Sequence, residues 1–155
     1  MSDCTIEVLA PAAAIVVEAP PAVVELAAVG LRGATGATGT EGSTLTALAG
    51  ATIHAGRAVR ISGGSIYHPD QTDNAHAGQV IGVATQSGSS PSNLVVRTSG
   101  SYLEPTWALS PGPVYVGTDG VLTQTPPATG WLLVIGRAIN ATTLFVDVEP
   151  AYFRS

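Results

Sequence analysis

Residues 114–123 read Val114-Tyr115-Val116-Gly117-Thr118-Asp119-Gly120-Val121-Leu122-Thr123. Asp-Gly supplies two residues that tolerate positive φ at a tight reversal. The β-branched and aromatic residues on either side fit a pleated, half-buried surface. The stretch therefore reads as a β-hairpin, and the same theme recurs on both sides of it. Runs at 52–54, 58–62, 65–67, 80–84, 94–98, 132–138 and 143–148 are rich in Val, Ile, Leu and Thr. Turn signals separate them at Ala55-Gly56, Gly63-Gly64, Ser87-Gly88, Gly100, Pro111-Gly112-Pro113 and Asn140. No segment carries a capped apolar stripe of helical period. About nine short strands over residues 43–155 predict an all-β head, a sandwich or a small barrel.

Composition narrows the function. Only 11% of the 155 residues are charged, and the net charge is −5, which argues against a partner with a phosphate backbone. Lys is absent; the basic residues are Arg32, Arg57, Arg60, Arg97, Arg137 and Arg154. A P-loop lysine, a Schiff base and a Ser-Lys pair are thereby excluded. Cys4 is the only cysteine, so neither an intrachain disulfide nor a CxxC zinc site can form, and it reads as a small buried apolar residue. A surface of Gly, Ser, Thr and Ala suits packing against copies of the chain or a larger assembly.

Upstream of the head, Gly30, Gly33, Gly36, Gly39 and Gly42 recur at a strict period of three. Only Gly fits at the crowded axis of a collagen triple helix, so this spacing predicts a short triple-helical stalk over 30–42 and hence three chains. A flexible linker has no reason to keep that period. The X and Y positions hold no proline, so the rod needs trimeric elements at one or both ends. Residues 1–29 are apolar, acidic and punctuated by Pro11, Pro20 and Pro21. Their short strands, at 5–9, 15–18 and 22–26, cannot build an independent core. Ile6, Val8, Ile15, Val17, Val23 and Leu26 are the apolar residues expected to attach this base to a particle or to sister chains. No uninterrupted apolar run approaches the ~20 residues of a spanning helix, and the first basic residue is Arg32. Neither membrane insertion nor an ordinary export signal is expected.

With these elements placed, a resemblance emerges. It is carried by Gly56-Arg57-Ala58-Val59-Arg60-Ile61, Ile66-Tyr67-His68-Pro69-Asp70, His76-Ala77-Gly78-Gln79-Val80-Ile81-Gly82-Val83-Ala84, 114–120 and Ile135-Gly136-Arg137-Ala138. In order and spacing these resemble the small β domain of tailed-phage capsid-decorating proteins and phage fibre heads. Residues 15–20, leading into the Gly-X-Y run, resemble the particle-proximal end of short head or neck fibres. The resemblance implies a structural virion protein, assembled in the host cytoplasm and held by capsid, neck or other virion proteins. It implies no enzymatic activity and no cofactor. Base, stalk and head then occupy 1–29, 30–42 and 43–155 of a trimeric fibre-like chain.

Chemistry-bearing residues are few. His68, Asp70, Asp73 and His76 fall within nine residues and are of metal-ligating type. Their spacing meets no fixed ligand pattern, and a polar turn is the preferred reading, so no metal is assigned. No G-x-S-x-G elbow is present: 63–67 ends in Tyr67 and 88–92 in Ser92. Tyr102 and Trp107, flanking Pro105, are the candidate surface-recognition pair. In the alternative reading, a receptor- or glycan-binding adhesin, they would stack against a host-surface sugar.

Overall fold

The computed structural model of the chain describes residues 42–154, which belong to one compact unit, Glu41–Ser155. The base at 1–29 and Gly30, Gly33, Gly36 and Gly39 lie outside the described residues. The Asp-Gly reversal closes as expected: Asp119 and Gly120 take φ values of 56° and 71°, and Tyr115 and Val116 pair antiparallel with Thr123 and Leu122. The strands are β1 (Thr44–Ala49), β2 (Ala58–Ser62), β3 (Ser65–Tyr67), β4 (Val80–Ala84), β5 (Asn93–Arg97), β6 (Ser99–Leu103), β7 (Gly112–Val116), β8 (Leu122–Thr123), β9 (Trp131–Leu132), β10 (Val134–Asn140), β11 (Thr143–Asp147) and β12 (Tyr152–Phe153). Helical structure among the described residues is confined to short 3-10 turns at Asn74–Gln79 and Thr118–Gly120. The described fold is all-β.

Three of its strands were not expected: β1, β6 and the short β12. β1 follows directly on the Gly-rich run, and β6 begins Ser99-Gly100-Ser101 with no apolar signal. β1 is drawn into register by β5 and β6 by β11. The expected strand at 52–54 reduces to one bridge between Ile53 and Gly88, with Ile53 fully buried.

Strand order shows an internal duplication. β1-β3-β2-β4-β5 closes into a barrel, and β6-β11-β10-β7-β8 forms an open five-stranded sheet. Cutting the barrel between β1 and β3 leaves β3-β2-β4-β5-β1. The open sheet, read from its other edge, is β8-β7-β10-β11-β6, with the strands in the same chain order. The registers agree residue by residue. Val59 pairs with Gly82 and Arg60 with Val80, with a bulge between; Val114 pairs with Gly136 and Tyr115 with Val134, with the same bulge. Ala84 faces Val96 as Ala138 faces Leu144. Val-Ile-Gly-Val-Ala at 80–84 and Val-Ile-Gly-Arg-Ala at 134–138 are the corresponding segments.

One repeat closes and the other does not, for a local reason. The barrel is sealed by a parallel pair, Leu48 with Ser65 and Ala49 with Ile66. Leu45 opposite Val96 corresponds to Tyr102 opposite Leu144, so the position equivalent to Leu48 is Pro105. Proline has no N–H and breaks a ladder. β8 is left with β7 as its one neighbour, and Val121, just before it, is 43% exposed.

The two cores follow from this. Val59, Ile66, Ala84, Leu94 and Val96 fill the barrel with Ile53. Val114, Val116, Trp131, Leu133, Ile135, Leu144 and Val146 line the open sheet, and Ala58 and Val83 from the outside of the barrel pack with them. The first repeat thus covers the face that the second leaves open, and burial of this kind stabilises at about 25 cal/mol per Å² of apolar area.

Gly42 corrects one expectation. Its φ is +77°, far from the extended left-handed helix of collagen strands, whose φ is about −75°. A Cβ on it would collide with the backbone of Ser99 and Gly100. Gly42 therefore belongs to the β unit rather than to a stalk, and the period-three run available to a triple helix ends at Gly39.

Candidate functional site

The polar segment 68–76 lies within the first repeat, between β3 and β4. His68 closes the end of β3. Its Nδ1 lies 2.9 Å from the Ala58 carbonyl oxygen, and its Nε2 accepts from the His54 backbone N–H at 3.0 Å. Donating through Nδ1 while accepting at Nε2 requires the neutral ring. Burial pushes the His68 pKa below its ordinary value, outweighing the Ala58 carbonyl and Asp119, which act the other way. The His54 ring stacks on it, 5.8 Å between centroids and 5° from parallel.

The carboxylates serve the chain itself. Asp70 Oδ1 accepts from the Thr72 N–H at 2.9 Å and the Thr72 hydroxyl at 2.8 Å; these bonds hold its carboxyl below the usual range. Asp73 caps the 3-10 turn by accepting from Ala75 N–H at 2.9 Å. His76 Nδ1 accepts from the Asp70 N–H at 3.1 Å, and its Nε2 lies 3.4 Å from Asp73 Oδ2. The four residues of metal-ligating type are committed to turn geometry. Among the described residues no group of three or more His, Cys, Asp or Glu converges as a metal site.

The same segment clasps the second repeat. Trp131, fully buried, donates its backbone N–H to Gln71 O at 3.0 Å and its indole Nε1–H to Asp73 O at 2.9 Å. The Thr118 hydroxyl donates to Gln71 Oε1 at 2.7 Å, and Gly120 N–H to Pro69 O at 2.9 Å. Arg57 reaches across to Asp119 Oδ2 at 2.7 Å. Next to the clasp, Gln71, Thr118, Val121, Thr123 and Pro127 line a groove of about 400 Å³. None of its lining residues is ionisable, so it offers shape and hydroxyls but no acid or base.

Tyr102 and Trp107 are brought together, as a pair packed edge to face: 5.4 Å between centroids and 85° between planes. Both lean on the core of the second repeat and are half-buried. The Tyr102 hydroxyl donates to Glu104 Oε2 at 3.3 Å. Burial, with the Glu104 charge and hydrogen bond, pushes its pKa up to about 12. Two aromatic faces lying flat toward solvent, as a sugar platform requires, are not what this corner presents.

Sequence reasoning missed an apolar group on the outer face of the open sheet: Leu103, Ile139 and Phe145, exposed by 61%, 52% and 44%. Strict alternation places Phe145 there within the expected run at 143–148, whereas Leu103 lies on the unexpected β6 and Ile139 just beyond the expected run at 132–138. No helix among the described residues is long and apolar enough to cross a membrane. No protein-family model, curated protein or solved structure matches the chain.

Proposed function

We propose that the chain is a structural protein of a tailed-phage particle, a homotrimeric head or neck fibre or capsid decoration, and not an enzyme. The observation that carries this reading is the period-three glycine run ending at Gly39, three residues before a β unit that begins at Gly42. A Gly-X-Y run needs three chains, and a folded unit at its end holds their register. The base at 1–29 attaches to capsid, neck or other virion proteins by burying Ile6, Val8, Ile15, Val17, Val23 and Leu26. The β unit projects from the particle. The packed corner at Tyr102 and Trp107 favours this mechanical role over glycan recognition.

The test is the solution mass of the full chain by light scattering after gel filtration, beside limited proteolysis. A trimer whose residues 30–39 resist general proteases is the expected result. A monomer, or cleavage at 30–39 as fast as in an unstructured peptide, would overturn the reading.

A further inference from the structure

The duplication makes the exposed apolar group informative, because each of its members has a counterpart in the first repeat. From the registers above, Phe145 corresponds to Arg97, Leu103 to Thr46 and Ile139 to Thr85. One copy of the unit carries polar side chains at these outward positions and the other carries Phe, Leu and Ile. The fold does not require apolar residues there.

The group is contiguous. Leu103 stands opposite Thr143, two residues along β11 from Phe145, a diagonal relation of about 7–8 Å. Ile139 lies on the other side of Thr143, at the bulge between Ala138 and Asn140. It also sits near the point where the upstream chain enters. Ser43 donates its N–H to Ser99 O at 3.1 Å and accepts from Thr98 N–H at 2.9 Å. Ser99 is the first residue of β6, and Leu103, its last, is about 13 Å further along.

We propose that this face is the contact between β units in the trimer: the Leu103–Ile139–Phe145 patches of three copies converge on the three-fold axis. This rests on the trimeric reading above. The occupant is a second copy because the glycine run that would join three chains ends three residues before Gly42, which packs beside the strand bearing the patch. Chains so tethered see one another at millimolar effective concentration, so a contact far smaller than a free-standing interface suffices.

The test uses the full chain in a Cys4→Ser background. Ser101, opposite Phe145 on the same exposed face, is changed to Cys in one variant. In the control, Thr46→Cys, the cysteine stands at the position equivalent to Leu103 in the first repeat. Each is treated with a short bis-maleimide while its mass is followed by light scattering. The expected result is a trimer in which Ser101→Cys cross-links between chains at least tenfold faster than Thr46→Cys, with Phe145→Glu abolishing the difference. A trimer that cross-links equally at the two positions overturns this inference and leaves the trimeric reading standing. A monomeric parent chain removes both.

Discussion

The bulge shared by the two repeats yields a quantitative prediction. Gly82 and Gly136 have φ values of +156° and +157°, and each meets the strand beside it at the same place. A Cβ added at Gly82 would collide with the Arg97 carbonyl oxygen, and one at Gly136 with that of Phe145. In both cases the obstacle is backbone held in a ladder, which cannot swing aside as a side-chain tip would. Forcing an L-residue into such a φ costs about 1–3 kcal/mol, and wedging the strands apart adds about 1–3 kcal/mol. The expected loss is about 4 kcal/mol for either Gly→Ala change, against a total stability of about 5–15 kcal/mol. At about 4 °C per kcal/mol, the thermal midpoint should fall by about 15 °C. Gly64→Ala separates the two contributions: Gly64 has φ +85°, with nothing within 4 Å of the added Cβ, so only the conformational cost of about 1–2 kcal/mol should appear. Urea and thermal unfolding followed by circular dichroism measure all three. A Gly82→Ala or Gly136→Ala variant within about 1 kcal/mol of the parent would refute the steric argument. Large loss in one and none in the other would refute the equivalence of the repeats.

Three further outcomes follow from the clasp. His68 is held neutral with its pKa below the ordinary 6.5, so the unfolded chain takes up its proton at higher pH than the folded one. Its contribution is complete above 6.5 and is lost as pH falls through the lower folded value; stability measured in urea between about pH 7.5 and about 5.5 should decline more steeply in the parent than in His68→Gln. Trp131→Phe keeps most of the buried ring but removes one of two hydrogen bonds to the Asp73 carbonyl, which keeps the His76 N–H, and should cost about 0.5–1.5 kcal/mol, whereas Trp131→Ala should cost about 3–5 kcal/mol by chemical denaturation. Arg57→Ala removes an ion pair whose side chains are 33% and 63% exposed; screening should hold the loss below about 1 kcal/mol, shrinking further in added salt.

Legibility in the sequence followed the strength of local signals. The hairpin at 114–123 announces itself because Asp-Gly and the Val-rich flanks act within a few residues of one another. β2, β4 and β11 stand out for the same reason. β6 did not, because Ser99-Gly100-Ser101 has no preference of its own and becomes a strand through hydrogen bonds to β11, more than forty residues later. β1 carries no local signal of its start, because the glycine period runs on through Gly42, whose conformation depends on the distant Ser99. In the 68–76 cluster Asp70 and Asp73 each bond the backbone two residues on, a local pattern that spacing makes legible. Its role as a clasp on Trp131 could not be read, because that contact is long-range. The repeat was visible in principle: Val-Ile-Gly-x-Ala occurs twice, yet the intervening loops differ in length and hide the match. Large aromatics are expected to pack, and Tyr102 and Trp107 are half-buried against each other, although their place beside Pro105 made them the candidates for exposure.

The entry of the chain bears on what such a unit could withstand. Ser43 is fixed by backbone bonds to Thr98 and Ser99, the residues that join β5 of the barrel to β6 of the open sheet. Directly after it, β1 pairs in continuous register with β5 from Thr44–Arg97 to Leu48–Asn93 and then in parallel with β3. A pull on residue 42 is therefore delivered at the junction of the two repeats and along β1, against ladders on both its edges. Such a load shears many hydrogen bonds together instead of opening them one at a time. The clasp of Pro69, Gln71 and Asp73 onto Gly120, Thr118 and Trp131 ties the repeats together again at a second place. In this duplicated unit one copy seals its own edges, and the open sheet of the other keeps β6 and β8 as its edge strands. These ties are what the proposed projecting role would load, and they are reached here with short strands, two small cores and a chain of low charge.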